Sequence, residues 1–448
     1  MPHLTSKKYE LKRLLSLMLP ILITQFSQAG LGLIDTIMAG HLSASDLAAI
    51  AVGVGIWMPI MLFFVGIILA TTPLVAEAVG AKAQAKIPHL VRQSMWMAFG
   101  LGLIALVLLQ FMPFLLELFK VPVDLRPKAS LFLHAIGFGM PAVTLYTSLR
   151  CYSEAIGNPQ PVTVISLLSL LVLIPLNYLF MHGFGPLPAL GSAGCGFATA
   201  ILQWMMLITL ATYIHKAKIY QQHKIFASIE KPNLALATTI FKLGAPIGLA
   251  VFFEVSIFST AAIIISPLGD ITIAAHQIAI SVTSQLFMLP MSLAIALTIR
   301  VGTYFGERNW AAMRKVQLVG LMTATTMACF TMLLIAFGRN EIIQLYTRDP
   351  HVAEMAVYLL HFCIAYQMMD GWQVSAAGCL RGMQDTQAPM WITLIAYWCI
   401  SLPLSIYWIR YQHMGAQGIW ISLIIGLAVA CILLLRRLYK MNQRLKMT

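Results

Sequence analysis

Three acidic residues stand where acids are costly. Asp35, Glu254 and Asp370 each lie inside a long apolar run, whereas the other thirteen of the sixteen Asp and Glu residues fall in loops, in tails or at the ends of such runs. A charged side chain at the centre of a bilayer costs about 2.5–3.5 kcal/mol even on insertion scales, so an acid there usually faces a cavity and takes part in function. Depth follows from the helical rise. Glu254 lies about 18 Å beyond Lys242 and Asp370 about 16 Å before Arg381, in runs that cross in opposite directions, so both reach one midplane level. They belong to the same half of the chain and are expected to share a chamber, with no Lys or Arg at that depth. Two carboxyls in a low dielectric do not readily ionise together, so such a pair can take up a proton or hold a monovalent cation and be neutralised by either. Tyr366 lies four residues before Asp370 on the same helix face and is a candidate further oxygen ligand, including for a sodium ion. Asp35 lies about 33 Å from Arg13 and is expected in the outer part of its helix. Plainer roles stay open: an interhelical hydrogen bond from a protonated Glu254 or Asp370, a headgroup-level position for Asp35, packing for Tyr366. Asn177, midway along an apolar run, is either a site residue or a bundle hydrogen bond.

The elements that must position these groups are membrane helices. Hydrophobic residues make up 59% of the chain and charged ones 10%, with a mean hydropathy of +0.83. A soluble domain carries about 25% charged residues and keeps a large solvent-facing area that this composition could not cover. Runs of about 20 apolar residues are needed to cross the hydrocarbon core. They fall at 14–39, 48–76, 92–117, 129–151, 161–182, 190–214, 240–266, 273–299, 316–338, 352–379, 388–410 and 415–435. The first run is too long for a removable signal peptide and lacks a small-residue cleavage site. Twelve spans put both termini on one side. With that side cytoplasmic, 23 of the 29 Lys and Arg residues face inward, and the other face receives only Lys120, Arg126, Lys128, Arg339, Arg348 and Arg410. This bias sets the orientation, and it accounts for the net charge of +13 without nucleic acid as a partner.

The chain also matches itself at a shift of about 226 residues: Pro20 falls on Pro246, Ala48-Ala49 on Ala274-Ala275 and Gly80 on Gly306. Six spans per half insert the same way up, so the halves are expected to be related by an axis along the membrane normal. The division is predicted as an N-terminal lobe, 1–225, and a C-terminal lobe, 226–448, with the polar stretch near 215–235 between them. Prolines within the spans, Pro20 and Pro403 among them, free backbone groups and suit helices that bend. The seven cysteines show no CxxC or Cys/His metal spacing and read as small buried hydrophobes. His134, His276 and His361 have no carboxylate at ligand spacing and are expected to pack. There is no Walker A loop, HExxH or G-x-S-x-G, so neither ATP-driven chemistry nor an enzyme is indicated, and no cofactor is expected.

The stretches LPILITQFSQAGLGLIDTIMAGHLSASDLAAIAVG, AAHQIAISVTSQLFMLPMSLAIALTIRVGTYFGE and GCLRGMQDTQAPM carry a resemblance that runs nearly end to end. The sequence resembles the multidrug and toxic compound extrusion (MATE) family, in its bacterial NorM-like branch. The resemblance implies an all-α membrane protein of twelve transmembrane helices, in two pseudo-symmetric six-helix bundles arranged as a V around a central cavity. It also implies export of bulky, often cationic organic compounds and drugs by antiport against an inward cation, from the bacterial cytoplasmic membrane, by a monomer. In that family an acid of the first helix is assigned to coupling with a proline fifteen residues before it as a bending point, and Asp35 and Pro20 match that pair. The acids of helices 7 and 10 match Glu254 and Asp370, with Tyr366 at the companion position and Asn177 at a polar site of helix 5. Family members couple to protons or to sodium, and these residues are compatible with both; carboxyls that need no full oxygen cage favour protons slightly. Three other readings compete. A flippase for a lipid-linked saccharide would favour basic residues at depth, a lipid-modifying membrane enzyme would need a nucleophile or metal cluster, and a passive channel would need no titratable pair.

Overall fold

A computed structural model describes residues 6–183, 188–228 and 230–447, and no strand occurs among them. The helices are α1 (Lys7–Leu42), α2 (Ala44–Ile68), α3 (Thr71–Gly80), α4 (Lys86–Phe111), α5 (Phe114–Leu118), α6 (Arg126–Gly137), α7 (Met140–Ala155), α8 (Gln160–His182), α9 (Ala193–Lys216) and α10 (Lys218–Gln221). They continue as α11 (Leu234–Ile265), α12 (Asp270–Gly306), α13 (Trp310–Gln344), α14 (Pro350–Gly382), α15 (Gln387–Thr393), α16 (Leu402–Arg410) and α17 (Ala416–Met447), with a π-helical stretch, Leu394–Ser401, joining α15 to α16. Among the described residues, eleven helices or continuous helix pairs are long and apolar enough to cross a membrane, and the bent pair α6–α7, taken as one span, makes twelve.

Large apolar side chains point outward along these helices. Phe111, Phe337 and Leu345 are 68%, 83% and 85% exposed, a pattern that suits hydrocarbon as the solvent. Three of the helices, α2, α13 and α14, start at a side-chain cap. The Ser43 hydroxyl accepts from the Asp46 N–H at 3.0 Å, the Asn309 side chain from Ala312 N at 3.1 Å, and Asp349 from His351 N at 2.9 Å just before Pro350. Several helices overrun the apolar stretches read from the sequence; α1 covers 36 residues and α12 covers 37. Polar residues at the membrane face remain good helix formers, so hydropathy marks the hydrocarbon and not the helix end.

The fourth span departs from a single straight helix. It breaks at Phe138–Gly139 and bends by 42° between α6 and α7. Gly137, Gly139 and Pro141 follow each other at alternate positions there, and Pro141 cannot donate to the carbonyl one turn back.

The chain forms two compact units: Leu19–Gly248, and Met1–Met18 with Leu249–Thr448. The divisions pass inside α1 and α11, each within three residues of a helix proline, Pro20 and Pro246. In the first unit α2 and the start of α11 approach closely through glycines. A Cβ on Gly244 would lie 2.0 Å from the Ile67 carbonyl oxygen, and one on Gly248 2.6 Å from that of Phe63. In the second, a Cβ on Gly378 of α14 would meet the Ala294 carbonyl of α12 at 2.5 Å, and the Thr298 hydroxyl donates across the same contact to the Gly378 carbonyl at 3.0 Å.

Candidate functional site

In the Leu19–Gly248 unit, Asp35 of α1 is held by two other helices. Asn177 Nδ2 of α8 donates to its Oδ1 at 2.6 Å, and the Thr199 hydroxyl of α9 donates to its Oδ2 at 3.0 Å. Asp35 is 9% exposed and Asn177 fully buried. The Asn177 carbonyl oxygen has no hydrogen-bond partner. Asp35 and Asn177, read separately from the sequence, therefore form one centre. Thr199 was not anticipated; its only trace is a hydroxyl in the small-residue run AGCGFATA, which says nothing of what it faces. One helical stretch earlier, the Pro20 carbonyl accepts from the hydroxyls of Thr163 of α8 at 2.9 Å and of Thr24 at 3.1 Å. These bonds sit where a proline weakens the α1 ladder and tie that turn to α8.

In the other unit, the charge of Glu254 of α11 reaches Asp370 of α14, and both acids reach Tyr366 and Tyr397. Asp370 is 1% exposed, and its Oδ1 has no hydrogen-bond partner in the protein. Tyr366 is buried on the same face of α14. Two features depart from expectation. The charge of Arg381 of α14 reaches Glu254 of α11, so a cation does stand within range of one acid; the rise along α14 measures Arg381 from Asp370 alone and says nothing of its approach to a neighbouring helix. The π-helical stretch adds an unforeseen element. Its Tyr397 hydroxyl donates to Gln373 Oε1 of α14 at 3.4 Å, and Trp398 Nε1 donates to the Phe253 carbonyl, next to Glu254, at 3.2 Å. Pro403 denies the carbonyl four residues before it an α-helical donor, which was the one sequence sign of a disturbed ladder here.

Some acids assigned to loops and tails are also buried. Glu10 is fully buried, with its carboxylate accepting from Arg300 Nη2 at 2.8 Å and from the Tyr304 hydroxyl at 2.5 Å. Glu154 is 1% exposed and pairs with Arg150 at 3.3 Å. In the central loop, Glu230 binds His89 and Arg92 of α4, and its carbonyl accepts from Trp96 Nε1 at 2.8 Å. The His89 hydrogen bond and the Arg92 pair hold the Glu230 carboxyl below its ordinary range. Among the described residues no group of three or more His, Cys, Asp and Glu side chains is arranged to hold a metal ion.

The MatE family model matches the chain twice, over residues 20–179 and 246–407. The chain belongs to the MatE family. Both matches begin at one of the prolines aligned by the internal repeat, and their starts and ends are offset by 226 and 228 residues. Among curated relatives, the chain is 67% identical over 438 residues to the probable multidrug resistance protein NorM of Acinetobacter baylyi, covering 98% of each chain. It is 39% identical to the multidrug resistance protein NorM of Vibrio cholerae, over 98% of this chain and 97% of the relative. The eukaryotic MATE transporter AtDTX14 shares the fold, with a TM-score of 0.88 at 20% identity over 98% of this chain and 99% of that one. As a MatE protein the chain is an all-helical, multi-span membrane protein of the NorM kind.

Proposed function

We propose that this protein is a multidrug exporter of the bacterial cytoplasmic membrane, with both termini cytoplasmic. It acts as a monomer, is a transporter and not an enzyme, and expels bulky, often cationic organic compounds by antiport against a proton or a sodium ion. What carries the reading is the pair Glu254 and Asp370 in a member of the MatE family: two neighbouring acids, one of them buried with an oxygen that no protein group satisfies. An unsatisfied buried carboxyl oxygen is stabilised by a proton, by a cation or by a ligand's positive charge, and these compete for it. Antiport follows when access alternates between the two faces and each occupant favours a different state, since binding shifts the equilibrium only by its differential affinity.

Asp35 supplies a second point of exchange. As a carboxylate it takes two donors. Once protonated it becomes a donor itself, and a turn of the Asn177 amide would present the carbonyl oxygen that now lacks a partner. The change of bonding passes to α8 and α9, and α1 has its bending point at Pro20.

The test is reconstitution in vesicles with separately imposed pH and sodium gradients, following ethidium as an organic cation. Gradient-driven transport is expected for the intact protein and is lost in Asp370→Asn and in Glu254→Gln at unchanged membrane levels. Unaltered efflux in both variants would refute the assignment, and the gradient that supports transport names the ion.

A further inference from the structure

His276 of α12 is fully buried, and neither of its ring nitrogens has a hydrogen-bond partner. Its ring stands edge-on to that of Trp420 of α17, with centroids 5.9 Å apart, and Trp420 is likewise fully buried with Nε1 unpartnered. Trp420 in turn meets Tyr366 edge-on at 6.4 Å, one helical turn from Asp370 and its own unpartnered Oδ1. Buried polar atoms in native proteins are nearly always satisfied by protein or by ordered water. A ring contact between His276 and Trp420 can engage one N–H weakly and leaves the rest. What remains is a mixed set: a donor at Trp420, a donor and an acceptor at a neutral His276, an acceptor at Asp370. Ordered water offers both functions at every step. The series also has a direction. His276 lies six residues, about 9 Å, inside the start of α12, and Trp420 four residues, about 6 Å, inside the start of α17, so it runs from Asp370 toward the membrane face where those helices begin.

We propose that His276 and Trp420 hold a file of ordered waters that connects Asp370 to the outer face and carries the coupling proton, with His276 as a positioning residue. This rests on the antiport reading above with a proton as the ion. Each water accepts one proton from the outer side and passes one inward, so the file is unchanged and one proton arrives at Asp370.

Two measurements test it. Hydroxyl-radical footprinting of the intact protein in vesicles labels side chains beside trapped water. His276, Trp420 and Tyr366 should be labelled despite their burial, and labelling of Trp420 should fall in His276→Phe; labelling no greater than that of the buried Phe132 overturns the proposal. In vesicles with a pH gradient, His276→Phe should slow ethidium efflux roughly tenfold or more with ethidium affinity unchanged. His276→Gln, which keeps a donor and an acceptor, should stay within about twofold of the parent. Equal rates in parent and His276→Phe overturn the proton route. Footprinting needs no transport, so efflux that survives Asp370→Asn would sink the antiport reading while the water file stood or fell by its own labels.

Discussion

The acid centres of the two units differ in how far the protein itself satisfies them. At Asp35 both carboxylate oxygens receive donors, from Asn177 and Thr199, and the orphan group is the amide that serves the acid. At Asp370 the acid's own Oδ1 is the orphan, and its neighbours are another acid and two tyrosines. The helices repeat but the chemistry does not. At the 226-residue shift Asp35 falls on Ala261, Glu254 on Gln28 and Asp370 on Thr144. The family model thus repeats along the chain while the two halves carry different charges and different breaks: one acid is held by two hydrogen bonds, the other keeps a bare oxygen, and the 42° bend and the π-helical stretch each occur in one half.

The largest effect that would break this contrast is the paired comparison of Asp370→Asn with Asp35→Asn. On the antiport proposal, Asp370→Asn should abolish gradient-driven ethidium efflux, because it removes the charge for which ion and substrate would compete. Asp35→Asn should reduce it less, since an amide still bonds Thr199 and Asn177. Equal losses in vesicle assays would erase the distinction. Next in size is Asn177→Leu, which leaves Asp35 short of a donor in a buried place. Destabilisation of about 1–3 kcal/mol is expected, read as a lowered thermal midpoint in detergent. Tyr397→Phe removes only the 3.4 Å bond to Gln373, and a change of about 0.5–1.5 kcal/mol by the same measurement is expected.

The smallest effect lies outside both centres and serves as a control. Because Glu230 has a lowered folded-state value, its pairing contributes above the unfolded carboxyl range of about pH 4.3 and is lost as pH falls through the lower folded value. Glu230→Gln should lower stability at neutral pH by at most about 1 kcal/mol, flatten the acid end of the melting profile and leave efflux unchanged. A strong transport defect would show the loop anchor to be part of the mechanism.

Much of this was legible in the residue order because the bilayer makes local composition decisive. The apolar runs marked the spans, and the expense of charge at depth singled out Asp35, Glu254 and Asp370. Proline at 20 and 246 was legible as a break in the helix ladder, but the unit divisions beside them were not, since the polar stretch near 215–235 was read as the boundary. Other members of the centres were not legible. Thr199 meets Asp35 across 164 residues, and a threonine in a helix more often bonds its own backbone, as Thr209 does to Met205. Tyr397 is aimed by a π-helical stretch whose register no apolar period encodes. Glu10, placed in the tail, is buried because Arg300 and Tyr304 come from 290 residues away to receive it.

Composition and spacing alone were enough to give the membrane as solvent and the helical spans, since each follows from the cost of placing a group in hydrocarbon one residue at a time, and the self-match of the chain gave the duplicated plan. Which donors reach Asp35, which oxygen of Asp370 is left bare, and that Arg381 acts on Glu254 were decided only by packing. Hydrogen bonds and charge interactions depend on distances between helices, and those distances come from glycines, bends and side-chain volumes acting together rather than from any single stretch of chain.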